Sequence, residues 1–289
     1  MKPEEEILLS QTKITIVGLG LMGGSLALAL RGKCFSLLGI DPDPKTREIA
    51  ISQNIVDRVE EDIDNIFQIS DLIILCTPVE QILNILEKFP QNCQNPCIVM
   101  DIGSTKVEII KKMEKLPPIF DPIGCHPICG KEKLSIENAE RTLYYSAPFI
   151  VTPLNRTSPR ALSIVYQIIS AIGGKLITLS PIEHDRILAS TSHLPFIISS
   201  ILALSTEPSV AEFIGPGFRS ASRLAGTPSS MMLGVIMTNR DNLLVNLEKF
   251  QEELAVFISA ISENDFDTIE SSLISAQEKY NLLMGSGIK

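Results

Sequence analysis

With 289 residues, the chain is long enough for about two domains, each with its own buried core. Hydrophobic residues make up 45% and charged residues 20% of the sequence, which excludes a disordered, collagenous or coiled-coil chain. Acidic residues outnumber basic ones by 34 to 25, giving a net charge of −9. Because no block is rich in lysine and arginine, we expect no nucleic-acid partner.

The composition of the sequence disfavours export and membrane insertion. Its first six residues are acidic, whereas a signal peptide begins with basic and then apolar residues. The longest apolar run, residues 194 to 204, is too short to cross a bilayer. We therefore expect a cytoplasmic protein without a membrane partner, in which the six cysteines are reduced.

The spacing of the cysteines does not match common zinc sites. Neither Cys93 with Cys97 nor Cys125 with Cys129 has the two-residue gap of such sites, and we expect no metal.

The first half of the chain alternates short apolar runs with helical patterns. Strands are predicted at residues 13 to 17, 37 to 41, 72 to 76 and 97 to 101, each followed by a helix, at 22 to 30, 45 to 52, 79 to 88 and 106 to 115. Fully apolar strands separated by helices indicate a parallel sheet that is covered on both faces. The predicted fold class is therefore α/β, with a Rossmann-like doubly wound sheet.

A glycine-rich turn joins the first predicted strand to its helix. In Gly18-Leu19-Gly20-Leu21-Met22-Gly23, the first glycine turns the chain, the second lets the backbone approach a pyrophosphate and the third permits close helix packing. Asp41 ends the second strand, where its carboxylate can accept hydrogen bonds from an adenosine ribose. The alternative is a purely structural turn. We predict a dinucleotide site formed by Gly18, Leu19, Gly20, Leu21, Met22, Gly23, Asp41, Thr77, Pro78 and Gly103.

The choice between NAD and NADP depends on the charge near the ribose. Asp41 repels a 2′-phosphate, and the nearest cations are Lys45 and Arg47. The sequence therefore favours NAD over NADP.

From Pro181 onward the hydrophobic period becomes helical. Helices are predicted at residues 182 to 204, 229 to 262 and 265 to 283, with a shorter one at 218 to 224. We place a domain boundary near residue 180, between a dinucleotide-binding domain (1–180) and an all-helical substrate and dimerisation domain (181–289). About 110 residues cannot bury so many apolar side chains alone, so we expect a homodimer.

Three histidines are the main candidates for chemistry. His126 follows the apolar stretch 119 to 125, in a proline-flanked segment predicted as a loop at the carboxyl edge of the sheet, where doubly wound folds bind ligands. His184 and His193 lie on the first helix of the second domain, where a structural role is the alternative. Ser104 follows the fourth strand, where it caps a helix, faces the nicotinamide, or does both. Arg219 and Arg223 share a helix face and could clamp a carboxylate or cover an interface.

Taken together, these motifs resemble those of prephenate/arogenate dehydrogenases of tyrosine biosynthesis, in the same order and over essentially the whole chain. The motifs are the glycine turn, Asp101 to Lys106, His126 to Glu132, His184-Asp185 with Ser192 to Pro195, Gly217 to Arg223, and Asn239-Arg240. The resemblance implies an NAD-dependent oxidative decarboxylation of prephenate to 4-hydroxyphenylpyruvate, with arogenate as the alternative substrate.

The resemblance also assigns roles to individual residues. It implies that His126 is the catalytic base and that Ser104 hydrogen-bonds near it, the substrate hydroxyl and the nicotinamide. Arg223 would hold the substrate carboxylate. His193 and Asp185 would shape the pocket, and Glu132 would lie near its mouth.

Departures from the family pattern leave the substrate open. The family's frequent His-Leu-Pro-His reads His193 to Phe196 here, so an imidazole associated with the prephenate side chain is missing. Ser220 stands where an acidic residue is usual, and Met232 lies near a usual tryptophan position.

Two other functions compete with this interpretation. One is a β-hydroxyacid dehydrogenase, but residues 182 to 205 lack the catalytic lysine of that class. The other is a non-catalytic NAD-binding protein.

Overall fold

The computed structural model describes residues 8 to 64, 66 to 131 and 133 to 285. In this part of the chain, one sheet contains eight strands in the order β3-β2-β1-β4-β5-β6-β7-β8. Their bounds are β1 Lys13–Val17, β2 Ser36–Ile40, β3 Arg58–Glu60, β4 Leu72–Leu75, β5 Cys97–Asp101, β6 Phe120–Pro127, β7 Pro148–Pro153 and β8 Lys175–Thr178. The four predicted strands are confirmed as the parallel centre of the sheet, β2, β1, β4 and β5.

Strand β6 corrects the prediction for His126. The proline-flanked segment predicted as a loop is the end of this strand, and His126 pairs with Ile150 of β7 in antiparallel register. Pro122 and Pro127 were misleading because prolines usually interrupt a strand inside a sheet. His126 is thus fixed by strand pairing at the carboxyl edge of the sheet.

Helices cover both faces of the sheet. Along β4, Leu72 and Ile74 pack into one apolar core, and Ile73 and Leu75 pack into the other. This alternation is expected, because successive side chains of a strand point to opposite faces. The helices of this part are α1 Leu21–Leu30, α2 Pro44–Ser52, α3 Val79–Glu87, α4 Val107–Met113 and α5 Pro159–Ile172.

The predicted helix 182 to 204 contains a local distortion. Helix α6, Pro181–Leu188, is followed by a single π-helical turn, Ala189–His193, and by α7, Leu194–Leu204. Ser180 and Glu183 form a capping box at the start of α6, with Pro181 in its first turn. π-helical turns occur frequently at functional sites, and this one contains His193.

The remaining helices also differ from the pattern in one place. The predicted helix 229 to 262 is interrupted at Asn239, which separates α9, Ser229–Thr238, from α10, Arg240–Glu263. Helix α8 is Pro216–Ala221, and α11 is Phe266–Gly285. The chain divides into two compact units, residues 1–240 and 241–289. The change from sheet to helices lies between Thr178 and Pro181; whether it separates two domains stays a prediction.

Within the described residues, one helical stretch is long and apolar enough to cross a membrane. It is Pro181–Leu204, with a mean hydropathy of 1.7 over its most apolar window. It is longer than the apolar run considered in the sequence, because it includes α6 and the π-helical turn. A single such helix is weak evidence for a membrane span, since an apolar helix of a soluble protein has the same composition.

Candidate active site

The turn between β1 and α1 can be formed only with glycine at two of its positions. Gly18 has a φ of +92°, and a Cβ there would lie 2.7 Å from the methyl group of Thr77. A Cβ on Gly23 would lie 1.8 Å from the carbonyl oxygen of Gly18. The glycines therefore bring the start of α1 against the end of β1, which is the arrangement of a dinucleotide-binding turn.

Two polar groups beside this turn fit a nucleotide. The hydroxyl oxygen of Thr77 is buried and has no hydrogen-bond partner among the described residues. The N–H of Leu21, the first residue of α1, donates to the carbonyl oxygen of Leu134 at 2.6 Å. N–H groups at such a helix N-terminus are the donors that a pyrophosphate uses, and here one of them is taken by the Leu134 carbonyl oxygen.

Asp41 lies at the end of β2 with its carboxylate held by the backbone. Its Oδ2 accepts from the N–H of Leu19 at 2.8 Å, and its Oδ1 accepts from the N–H of Asp43 at 3.0 Å. The guanidinium of Arg47 donates to the carbonyl oxygens of Asp41 and Pro42, both at 2.8 Å. Lys45 pairs with Glu137 at 2.7 Å. Both cations near the predicted ribose position are therefore engaged elsewhere.

All three histidines of the chain belong to one group. Nδ1 of His126, on β6, lies 2.8 Å from Nε2 of His184, on α6. Nδ1 of His184 lies 2.7 Å from Oδ1 of Asp185. Nδ1 of His193, in the π-helical turn, lies 3.1 Å from the side-chain nitrogen of Asn239. Sheet and helices thus bring together residues that are far apart in sequence.

Asp185 anchors this group to the start of α4. Its side chain is fully buried and accepts hydrogen bonds from two backbone N–H groups, Lys106 at 2.7 Å and Val107 at 2.9 Å. Its own carbonyl oxygen accepts from the side-chain amide of Asn239 at 2.7 Å. Every hydrogen-bonding oxygen of Asp185 is therefore used to hold the site together.

A buried ion pair fixes the loop that carries Ser104. Asp101, at the end of β5, pairs with Lys106, and both side chains are fully buried. Asp101 also accepts from the N–H of Gly103 at 2.8 Å. Burial raises the pKa of Asp101, and the Lys106 ammonium opposes this rise. The loop from 101 to 106 is thereby closed on itself, with Ser104 at its tip.

A cavity of about 280 Å³ opens among these residues. Its lining includes Ser104, His126, Cys129 and His193, together with Met231 and Met232 of α9. A larger depression of about 1080 Å³ lies beside Cys97 and Phe120, at the opposite ends of β5 and β6. None of the three histidines lines that depression, so we assign the chemistry to the smaller cavity.

The imidazoles are held in the neutral form. Burial, and then the neighbouring charges of His184, Lys106 and His193, put the pKa of His126 well below its usual range. Burial lowers the pKa of His193 to about 4. Burial also lowers the pKa of His184, although its hydrogen bond to Asp185 opposes this effect. At neutral pH the three imidazoles are therefore uncharged, which is the form that a general base must have.

Not every predicted residue lies at the cavity. Arg223 is exposed, in a 3₁₀ turn that follows α8, and it does not line the cavity; Arg219, on α8, is also exposed. Glu132 lies outside the described residues. Conversely, the sequence alone indicates no role for Asn239 or for the Asp101–Lys106 pair, and it allows a merely structural role for His184. The adjacent acid and imidazole in His184-Asp185 were the available signal.

Comparison with known proteins identifies the family. Residues 26–178 match the model of the prephenate dehydrogenase nucleotide-binding domain, and residues 180–274 match that of the prephenate dehydrogenase dimerization domain. The chain belongs to the prephenate dehydrogenase family. It is therefore a dehydrogenase with a nucleotide-binding domain. The first match begins at Leu26, so the assignment of the glycine turn rests on the geometry described above.

Curated relatives and solved structures agree with this membership. Prephenate dehydrogenase of Bacillus subtilis is 28% identical, over 90% of this chain and 74% of the relative. Cyclohexadienyl dehydrogenase of Zymomonas mobilis is 28% identical, over 88% of this chain and 90% of the relative.

The structure of prephenate dehydrogenase from A. aeolicus, in complex with hydroxyphenyl propionate and NAD⁺, has a TM-score of 0.85 at 28% identity and covers 95% of this chain and 99% of its own. Synechocystis arogenate dehydrogenase has a TM-score of 0.73 at 28% identity and covers 94% of this chain and 99% of its own. A 3-hydroxyisobutyrate dehydrogenase from Salmonella typhimurium, at 13% identity and a TM-score of 0.55, shares the fold alone.

Proposed function

We propose that the protein catalyses the NAD-dependent oxidative decarboxylation of prephenate to 4-hydroxyphenylpyruvate. The observation that carries this proposal is that a neutral His126 lines the cavity of a member of this family. Its Nδ1 contacts His184, which in turn contacts Asp185. Bound NAD would supply the hydride acceptor. The glycine turn, Asp41 and Thr77 would hold it, with Leu19, Leu21, Met22, Pro78 and Gly103 beside them.

The reaction needs a base that takes one proton and later returns it. His126 accepts the proton of the ring hydroxyl as hydride leaves the same carbon, and that carbon becomes a carbonyl. The ring carboxylate then leaves as carbon dioxide, and the electron pair of the broken bond passes through the ring to the carbonyl oxygen. His126 returns its proton to this oxygen, which completes the phenol. Ser104, on the fixed loop, would orient the hydroxyl.

The remaining assignments concern substrate binding. Arg223 would bind the ring carboxylate by a charge-assisted contact. His193 and Asp185 would shape the pocket and Glu132 would lie at its mouth. Arogenate is the second candidate substrate, because Phe196 stands where the family frequently has a histidine.

The chemistry of the cofactor site favours NAD over NADP. A 2′-phosphate would lie beside the Asp41 carboxylate, while Arg47 donates to backbone carbonyls and Lys45 is paired with Glu137. The assembly we propose is a homodimer, which the match to a dimerization domain supports. The compartment we propose is the cytoplasm, in keeping with six unpaired thiols.

One assay tests the function. The purified protein would be mixed with prephenate or arogenate, each with NAD or NADP, and the reduction of the nicotinamide would be followed together with carbon dioxide release. We expect turnover with NAD and prephenate, and a kcat lower by roughly 10²- to 10⁴-fold in a His126→Asn control that still binds NAD. Dinucleotide binding without turnover of either cyclohexadienol would contradict the proposal.

A further inference from the structure

The two carboxylate oxygens of Asp185 both face donors that cannot reverse their roles. A backbone N–H can only donate, and Asp185 receives one from Lys106 and one from Val107. The side chain is therefore an acceptor at both oxygens. Its third neighbour, Nδ1 of His184, must then carry the hydrogen of their 2.7 Å contact.

The position of the hydrogen on His184 determines its position on His126. A neutral His184 with its hydrogen on Nδ1 has a lone pair on Nε2. The 2.8 Å contact to His126 then requires a hydrogen on Nδ1 of His126. Nε2 of His126 is left with its lone pair, and this nitrogen is the one available to the cavity that His126 lines.

The main-chain oxygen of Asp185 determines the tautomer of His193 through the side chain of Asn239. It accepts from the side-chain nitrogen of Asn239 at 2.7 Å, which sets the orientation of that amide. The same nitrogen faces Nδ1 of His193 at 3.1 Å, so Nδ1 accepts and the hydrogen of this neutral ring is on Nε2. Nε2 of His193 is buried and has no hydrogen-bond partner among the described residues.

We propose that Asp185 is a positioning residue whose carboxylate selects the tautomers of His184 and His126, while its main-chain oxygen, through Asn239, sets that of His193. Of the two histidines that line the cavity, His126 then offers an acceptor at Nε2 and His193 a donor at Nε2–H. An alcohol that becomes a carbonyl needs this combination, because its proton must leave and its oxygen must be held. The catalytic effect of these tautomers rests on the proposed function. The tautomers themselves are a property of the protein without substrate or cofactor and can be measured there.

The test uses the fact that the chain has only three histidines. In protein labelled with ¹⁵N-histidine, the imidazole nitrogens are observed by NMR at neutral pH and assigned with His126→Asn, His184→Gln and His193→Gln variants. We expect the hydrogen on Nδ1 in His126 and His184 and on Nε2 in His193. A hydrogen on Nε2 of His126 in the wild type would overturn the proposal whether or not any variant folds.

Kinetics supply the second readout. In Asp185→Asn, the backbone N–H of either Lys106 or Val107 faces an amide NH₂ instead of an oxygen. We therefore expect His184 and His126 to populate both tautomers. The kcat should fall by roughly 10²- to 10⁴-fold, and the affinity for NAD should be retained. His184→Gln keeps an oxygen that accepts from His126, whereas His184→Leu does not. The glutamine variant should therefore retain more activity than the leucine variant.

A matched control separates positioning from stability. Thr238→Val removes the partly buried 2.7 Å hydrogen bond to Thr105 in the same region and leaves the imidazole contacts intact. It should lower stability without changing the three tautomers. A wild-type kcat in Asp185→Asn would refute the positioning role. The expected tautomers in a protein that turns over neither cyclohexadienol would instead refute only the proposed function.

Discussion

The backbone carbonyl of Leu134 accepts a hydrogen bond from the N–H of Leu21 at the start of α1, at 2.6 Å. The segment around Leu134 is held down by further contacts with this part of the fold. The N–H of Glu140 donates to the hydroxyl of Ser25 at 2.9 Å, and the Tyr144 hydroxyl donates to the carbonyl of Met22 at 2.6 Å. The segment therefore occupies one N–H group at the helix N-terminus, where a pyrophosphate would bind.

Dinucleotide binding should displace this carbonyl. We expect the backbone amides of residues 136 to 140 to exchange hydrogen faster when NAD is bound, because their contacts with α1 loosen. Hydrogen–deuterium exchange with mass spectrometry measures this change. Adenosine, which lacks the pyrophosphate, is the matched ligand control and should leave the rates unchanged. Identical exchange with and without NAD would show that the carbonyl does not block the phosphates.

The Asp41 carboxylate should determine the preference for NAD. Asp41→Ser should narrow the difference in kcat/KM between NAD and NADP, because it removes the charge that repels a 2′-phosphate. Asp43→Asn is a suitable control, since it removes a neighbouring carboxylate that caps α2. Steady-state kinetics with both cofactors measure the ratio. A wild type that prefers NADP would mean that Lys45 or Arg47 leaves its present contacts to bind the phosphate.

Arg223 should bind the ring carboxylate in the ground state. Arg223→Ala should therefore raise KM more than it lowers kcat, with a loss of about 1.5–3 kcal/mol in binding. Arg219→Ala is the matched control, because Arg219 is also exposed and lies four residues earlier. A larger KM effect at Arg219 would transfer the role to that residue.

The sequence predicted those features that depend on local patterns. Every residue of β4 is apolar and buried, and the buried positions of β1 and β5 are apolar except for Thr15 and Asp101, so the burial of these strands in a parallel sheet followed directly. The contact between His126 and His184 joins positions 58 apart, and no local pattern encodes it. The same holds for Asn239, whose position at a helix break puts its amide against His193. Tertiary packing creates these relationships, so they were found only in the structure.

The apolar surface of the helices should bury itself against a second copy of the chain. Leu204, Phe213 and Met237 are exposed in the unit 1–240, and Ile258 and Ile261 are exposed in the unit 241–289. Large exposed apolar side chains on the helices of a domain that matches a dimerization domain are the residues expected to pack against a partner. We expect a dimer at micromolar concentration, measured by light scattering, and Leu204→Asp should shift the equilibrium toward monomer. Thr206→Asp is a polar control nearby. A monomeric wild type would contradict the expectation.

His126 should give a pH profile displaced toward acid. The base must be neutral, and burial with the nearby charges of His184, Lys106 and His193 puts its pKa well below the usual 6.5. kcat/KM should therefore be level through neutral pH and fall only as the pH drops through this lowered pKa, provided that no other group titrates. Measuring kcat/KM from acid to neutral pH, in a range where the protein stays folded, tests this expectation.

The His126→Asn variant should lose the base and keep the cofactor site. Asparagine keeps part of the shape and hydrogen bonding but cannot take the proton, so kcat should fall by roughly 10²- to 10⁴-fold and the acid limb should disappear. NAD affinity should barely change, because the glycine turn and Asp41 lie outside this step. If the variant keeps a normal kcat or the same acid limb, His126 is structural, and the base must be His193 or a water molecule held by Ser104.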